Sequence, residues 1–116
     1  MTIREAAAAL GCDIVCGEQN LDRPLVSAFG ADLMSDVLTY AAESCLLLTG
    51  MINTHVLRTA QILDVPCVTF VRDKRPTQEM VELAQETGIT LLSCRMTLYE
   101  ACGRLYAMGL GPCRKA

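Results

Sequence analysis

The sequence predicts a three-layer α/β fold, an open and mainly parallel sheet with helices on both faces. Its central segment, residues 45–71, has a short apolar run, then an amphipathic stretch, then a second apolar run. Two buried strands joined by a helix of this length form a right-handed βαβ unit. Apolar strands then recur near Leu46, Val68 and Leu91, each followed by a helical pattern. This alternation is typical of an open α/β sheet.

Local signals set the limits of each predicted element. Thr2 and Glu5 form a capping box that opens the first helix, and Gly11 suits its left-handed carboxyl-terminal cap. Thr97 and Glu100 have the spacing of a second capping box. The predicted strands are 13–16, 25–29, 46–48, 68–70 and 90–92, and the later helices are 33–42, 54–63, 77–87 and 98–108.

Length and charge limit the class of protein. A chain of 116 residues is expected to form one domain, here 1–116, with a core of its own. The net charge of −3 predicts no nucleic-acid partner, and the basic pair Arg114 and Lys115 is too short to change that. No apolar run approaches the roughly 20 residues that cross a bilayer, and the first residues lack a signal-peptide pattern. We therefore expect no membrane partner and a cytoplasmic location.

Seven cysteines are a high count for this length. An odd number without a secretion signal argues against a disulfide framework. Cys12 and Cys16 lack the second pair or histidine that would complete a zinc site, so we expect no metal and no cofactor. Most of the cysteines are interpreted as small core residues, among them Cys45, Cys67 and Cys102. A thiol role stays open for Cys94, which lies at a polar strand end, and for the pair Cys12 and Cys16.

The candidate site lies where the predicted strands end. In an open α/β sheet, ligands bind outside the carboxyl ends of the strands, where helix amino ends and loops meet. Small polar residues next to unpaired helix amides, with an arginine nearby, suit a small anion. The candidate ligand-binding residues are Asp32, Ser35, Thr49, Gly50, Asn53, Thr54, Arg72 and Ser93. The alternative is that residues such as Asn53 and Thr97 only cap helices.

Catalytic signatures are incomplete throughout the chain. His55 is the single histidine and has no evident serine or cysteine partner for a hydrolytic dyad. The turn after Leu48 lacks the glycines and lysine of a phosphate loop, and the chain contains no GxGxxG. We therefore expect a protein that is not an enzyme.

Three stretches resemble the DRTGG domain family, which is similar to the amino-terminal domain of HPr kinase/phosphorylase. They are GCDIVCGEQNLDRPLVSAFGADLMSDVLTYA, CLLLTGMINTHVLRTAQILDVPCVTFVRDKRPTQEMVELAQETGITLLSC and YEACGRLYAMGL, which together cover about residues 11–110. The most telling parts are Gly17-Glu18 with Leu21-Asp22-Arg23, then 32–37, then 103–106. The DRTGG motif, which gives the family its name, keeps Asp22 and Arg23 here, but its paired glycines are replaced by the 27–30 region.

The resemblance implies an α/β fold and an accessory or regulatory role without catalytic residues. Such domains occur beside CBS pairs or P-loop modules, and also alone, some of them with iron-only hydrogenase systems. The leading hypothesis is a stand-alone regulatory domain that binds a small anionic metabolite or nucleotide at the strand ends. The alternatives are a protein-interaction module without a ligand, with a possible hydrogenase-associated partner, and a thiol-based redox protein. The high apolar fraction predicts a homodimer.

Overall fold

The computed structural model describes residues 1–114, so Lys115 and Ala116, the end of the predicted domain and of its basic tail, lie outside the described residues. Within that range the strands are β1 (Asp13–Cys16), β2 (Ser27–Gly30), β3 (Cys45–Thr49), β4 (Cys67–Phe70), β5 (Thr90–Ser93) and β6 (Gly111–Pro112). The helices are α1 (Ile3–Leu10), α2 (Met34–Tyr40), α3 (Thr54–Ile62), α4 (Gln78–Thr87) and α5 (Leu98–Ala107). A short 3-10 helix, Glu18–Asn20, follows β1.

The strands form one six-stranded sheet in the order β1-β5-β4-β3-β2-β6. All neighbouring pairs are parallel except β1 and β5, which are antiparallel. Helices α1 and α5 contribute to the core on one face, and α2, α3 and α4 to the core on the other. The predicted three-layer, mainly parallel α/β fold is therefore confirmed.

The middle of the sheet is buried on both faces because its side chains alternate between the two cores. In β3, Leu46 and Leu48 face the α1/α5 core, whereas Cys45 and Leu47 face the other core. All five residues of β3 and all four of β4 are buried. A continuous apolar run is what a parallel strand covered on both sides requires.

The predicted capping signals form in the structure. The Glu5 amide donates to Thr2 Oγ1 (3.2 Å), and the Thr2 amide donates to the Glu5 carboxylate (2.9 Å). Gly11 closes α1 with a φ of 63°, the left-handed conformation in which glycine carries no Cβ penalty. At the start of α5 the Glu100 amide donates to Thr97 Oγ1 (3.4 Å), so Thr97 caps the helix, but within residues 1–114 only this half of the predicted second capping box is present.

Two predicted boundaries are wrong by a few residues. The strand predicted at 25–29 begins at Ser27, because Leu25 donates its amide to the Met1 carbonyl (2.6 Å) instead of joining the sheet. The helix predicted over 33–42 is shorter, since Leu33 is its amino cap and Ala41 has an extended backbone (ψ 153°). None of the helices within residues 1–114 combines the length and apolar character needed to cross a bilayer.

A substitution at Val68 tests whether β4 is buried in the core. Its side chain is fully buried in β4, so we expect Val68→Asp to lower the free energy of unfolding by several kcal/mol, because an unpaired carboxylate enters the core. Denaturant unfolding measures the change. The matched control is Val26→Asp at an exposed valine, which should change stability by about 0.5 kcal/mol or less. Equal effects of the two substitutions would contradict the assignment of β4 to the core.

Candidate functional site

The carboxyl ends of four parallel strands meet at one edge of the sheet. Thr49 of β3 pairs with Phe70 of β4, and Phe70 pairs with Ser93 of β5, so these strands end level with one another. Because β1 runs in the opposite direction, its first residue, Asp13, reaches the same edge opposite Ser93. The loops after β2, β3, β4 and β5 therefore share this edge, as expected for a ligand-binding crevice.

Asp32 joins the end of β2 to the end of β3. Its Oδ1 accepts a hydrogen bond from the Gly50 amide (2.7 Å) and one from Thr49 Oγ1 (3.2 Å). Thr49 Oγ1 in turn accepts from the Met51 amide (3.1 Å). The carboxylate is thus held by a backbone N–H and a hydroxyl at the start of the turn that leads into α3.

Arg72 completes this cluster from the end of β4. Its Nη2 lies 3.7 Å from Asp32 Oδ2, and the two side chains are 43% and 47% exposed. A Cβ added at Gly50 would overlap the Arg72 guanidinium, so the guanidinium lies against the glycine backbone. A guanidinium has five N–H donors, more than one carboxylate uses. The Asp32–Thr49–Gly50–Arg72 cluster, which we call the anion cluster, therefore presents a half-exposed cation beside a seated carboxylate.

The loop that carries Arg72 has an unusual backbone. Arg72 and Asp73 both adopt positive φ angles, 58° and 57°, although neither is glycine. Each such residue costs about 1–2 kcal/mol. Hydrogen bonds to the segment after β5 hold this conformation, because the Arg72 amide donates to the Met96 carbonyl and the Asp73 amide to the Cys94 carbonyl, both at 2.8 Å. We call residues 72–75 the 72–75 loop.

Ser93 also holds this loop. Its hydroxyl is buried and donates to the Lys74 carbonyl (2.6 Å). Ser93 is in β5 and Thr49 is in β3, with β4 between them. The hydroxyl of Ser93 therefore bonds the 72–75 loop and does not contact Thr49. At the far end of the loop, Arg75 forms an ion pair with Asp13 of β1. The 72–75 loop is thus bonded to β1 and to the end of β5.

The remaining candidate residues lie at helix starts. Asn53 Oδ1 accepts from the Val56 amide (3.3 Å), so Asn53 caps α3, and Thr54 is the first residue of that helix. Ser35 is exposed in the first turn of α2, and its carbonyl accepts from the Thr39 hydroxyl (2.9 Å). Four of the eight candidates, Asp32, Thr49, Gly50 and Arg72, therefore meet in one cluster, whereas Ser35, Asn53 and Thr54 lie at helix starts and Ser93 bonds the 72–75 loop.

A second feature of this edge carries no signal in the sequence. A cavity of about 400 Å³ lies beside the 72–75 loop, between α1 and the end of β5. It is lined by Leu10, Gly11, Asp13, Asp73, Ser93, Cys94, Arg95 and Met96. These residues come from four separate stretches of the chain, and only the antiparallel placement of β1 brings them together.

The structure shows that Cys12 and Cys16 do not form a pair. Cys16 belongs to the core formed with α2, α3 and α4, whereas Cys12 packs against the core formed with α1 and α5. A register shift between Ile14 and Cys16 accompanies this change of face. Among residues 1–114, no three His, Cys, Asp or Glu side chains are grouped so that they could hold a metal ion.

A substitution at Ser93 tests whether its hydrogen bond to the 72–75 loop stabilises the fold. We expect Ser93→Ala to lower the free energy of unfolding by about 1 kcal/mol, because a buried hydrogen bond to the 72–75 loop is lost. Ser35→Ala is the control, since Ser35 is exposed, and it should stay within about 0.5 kcal/mol. Denaturant unfolding measures both. A Ser93→Ala variant as stable as the wild type would mean that this bond does not hold the loop.

Comparison with known proteins identifies the fold but no family. No protein-family model matches the chain, and no curated protein matches it. A similar solved structure is the crystal structure of the CBS and DRTGG domains of the regulatory region of Clostridium perfringens pyrophosphatase, complexed with its activator, diadenosine tetraphosphate. The match has a TM-score of 0.74 and 17% sequence identity, and it covers 95% of this chain and 47% of that one. The chain thus spans about half of that structure's length and shares a fold with it.

Proposed function

We propose that this chain is a DRTGG-like regulatory domain that binds a small anionic metabolite or nucleotide at the carboxyl ends of its parallel strands. The observation that carries the proposal is the Asp32 carboxylate, seated on the Gly50 amide beside the Arg72 guanidinium. The shared fold supports it, because the similar structure is a regulatory region bound to a nucleotide activator. In this proposal the chain senses a ligand and catalyses no reaction.

The anion cluster has the chemistry that phosphate or carboxylate ligands need. The donor that it offers to a ligand is the Arg72 guanidinium, because the Gly50 amide already donates to Asp32 Oδ1, and arginine binds phosphate through two parallel N–H bonds. Asp32 Oδ1 is held by the amide, while Oδ2 faces Arg72 at 3.7 Å, a loose and half-exposed contact. A ligand oxygen can therefore take the place of Oδ2 at Arg72 while Oδ1 stays on Gly50.

Removing the cation tests the site. We expect Arg72→Ala to weaken binding of an anionic ligand tenfold or more, because a charge-assisted hydrogen bond contributes about 1.5–3 kcal/mol. The melting temperature should barely change, since a half-exposed ion pair is worth about 0–1 kcal/mol. Thermal shift against nucleotides and phosphorylated or carboxylated metabolites, with diadenosine tetraphosphate as the first probe, selects a ligand, and calorimetric titration compares the variants.

Two further variants make this test specific. Arg23→Ala is the control, because Arg23 is an exposed arginine at the opposite edge of the sheet, where it lines a cavity with Pro66 and Gly88 just before β4 and β5. This substitution should leave the affinity for the ligand unchanged. Asp32→Asn keeps an oxygen for the Gly50 amide but removes the negative charge, so it should tighten anion binding several-fold. A ligand that binds Arg72→Ala as well as the wild type binds elsewhere, and the proposed site is then wrong. A screen without any hit would favour the interaction-module alternative.

Self-association is a separate proposal. Several apolar side chains around α2 are exposed, among them Leu33 (62%) and Tyr40. Apolar residues exposed together mark interfaces, and a two-fold homodimer is the commonest assembly. We propose that this surface, formed by Leu33 and Tyr40 two turns apart on one side of α2, is the contact between two copies of the chain.

Leu33→Asp tests the dimer without harming the fold. Leu33 is the amino cap of α2, a position that favours aspartate, so the variant should fold normally while its charge opposes an apolar interface. Sedimentation at micromolar concentration should give a dimer for the wild type and a monomer for Leu33→Asp. Ile62→Lys, which charges an equally exposed residue (72%) of α3, should remain a dimer. A monomeric wild type would refute the proposal.

A further inference from the structure

We propose that Cys12 and Cys94 form a reversible disulfide, so that the edge of the sheet carries a thiol–disulfide site. Cys12 lies directly before β1 and Cys94 directly after β5. Asp13 pairs with Ser93 in the antiparallel ladder, so Cys12 and Cys94 occupy the next pair of opposite positions. Opposite residues in such a ladder have Cα atoms about 4.5–5.5 Å apart, within the range of about 4.4–6.8 Å that a disulfide needs.

The two side chains lie on the same face of the sheet. Ile14 and Leu92 form the pair on the other side of Asp13 and Ser93, and side chains alternate along strands. Cys94 and Leu92 both belong to the α1/α5 core, and Cys12 packs against that core. The two thiols lie close enough to interact, because each is the largest cause of the shift in the other's pKa. The ladder position and the shared face therefore suit a disulfide between them.

This contact also prepares one thiol for reaction. The hydrogen bond from Cys12 lowers the pKa of Cys94, although burial acts in the opposite direction, and a bond from the Met96 backbone lowers it further. The thiolate is the nucleophile in disulfide exchange, so a lower pKa favours Cys94 as the attacking group near neutral pH. The same hydrogen bond and burial raise the pKa of Cys12, which stays protonated until Cys94 has reacted.

A small reagent can reach the pair from two sides. Cys94 is only 2% exposed, but it lines the cavity of about 400 Å³ at the end of β5, together with Asp73 and Arg95. Cys12 is half-buried at the start of β1. The cavity gives a low-molecular-weight disulfide a place next to the thiolate, and its three charged residues, Asp13, Asp73 and Arg95, make it polar.

The chemistry is an exchange with a low-molecular-weight disulfide, RSSR. The Cys94 thiolate attacks one sulfur, the S–S bond of RSSR breaks, and one RS⁻ leaves and takes up a proton. With the charge on Cys94 gone, the main cause of the raised pKa of Cys12 is removed. Cys12 then loses its proton to solvent and attacks the Cys94 sulfur, which releases the second RS⁻. Two protein thiols are oxidised and one RSSR is reduced to two RSH, and an excess of RSH reverses the reaction.

The other cysteines are poorer candidates. Burial raises the pKa of Cys16 and Cys102, and that of Cys67 to about 12. Cys45 contacts Cys113, but Cys45 is fully buried in the sheet and its pKa is raised, chiefly by that contact and by burial. Among Cys16, Cys45, Cys67, Cys94 and Cys102, thiolate attack should therefore begin at Cys94.

The test uses the full reduced chain and mixtures of oxidised and reduced glutathione. Samples are quenched with acid, alkylated, digested and mapped by mass spectrometry. We expect a peptide pair linked through Cys12 and Cys94, with two of the seven thiols lost, and full reversal by excess reduced glutathione. Cys12→Ala should stop at a stable glutathione adduct on Cys94, because the second attack is impossible. Cys102→Ser, a half-buried cysteine away from the pair, should give the same linked peptides as the wild type.

A pH profile checks the coupling of the two thiols. In Cys12→Ala the pH midpoint for alkylation of Cys94 should rise, because the donor that stabilises its thiolate is lost while Glu100, whose charge raises the pKa of Cys94, remains. Asp13, Asp73 and Arg95 line the same cavity in both proteins, so they do not change the comparison. An unchanged midpoint would show that the thiols do not interact. That result, or a folded wild type whose oxidation links other cysteines or none, overturns the proposal.

Discussion

Burial of the central strands on both faces is the constraint on which the rest of this structure depends. The side chains of β3 and β4 alternate between two apolar cores, so neither strand has a face that could carry polar chemistry. Polar and charged groups are left to the loops at the strand ends. At the carboxyl edge those loops begin level with one another, because the parallel strands are paired in register. The anion cluster and the thiol pair are therefore neighbours as a consequence of packing.

The 72–75 loop connects these two features. It carries Arg72 of the anion cluster, while its next residue, Asp73, donates its amide to the carbonyl of Cys94. Its two left-handed residues are unfavourable by themselves, so the hydrogen bonds to the segment after β5 fix its shape. One hydrogen bond, from the Asp73 amide to the Cys94 carbonyl, therefore joins the residue next to Arg72 to the thiol pair.

Local chemistry explains which parts of this arrangement could be predicted. Capping residues such as Thr2 and Asn53, and the apolar runs of β3, β4 and β5, act within a few residues of the chain, so the sequence predicts those elements closely. The grouping of Asp32 with Thr49 and Arg72 followed from the general rule for strand ends in α/β sheets.

Long-range pairing explains what could not be predicted. The placement of β1 beside β5 joins residues about 80 positions apart, and no local pattern encodes it. The proposed pairing of Cys12 with Cys94 and the ion pair of Arg75 with Asp13 depend on that placement, whereas the left-handed Arg72 depends on hydrogen bonds to the segment after β5. Asp32 is the most informative case for the proposed site: its carboxylate lies beside Arg72, so an incoming anion would compete with a tethered one. Such competition would favour ligands with several charged groups, since one group would replace Oδ2 at Arg72 while others gain new contacts.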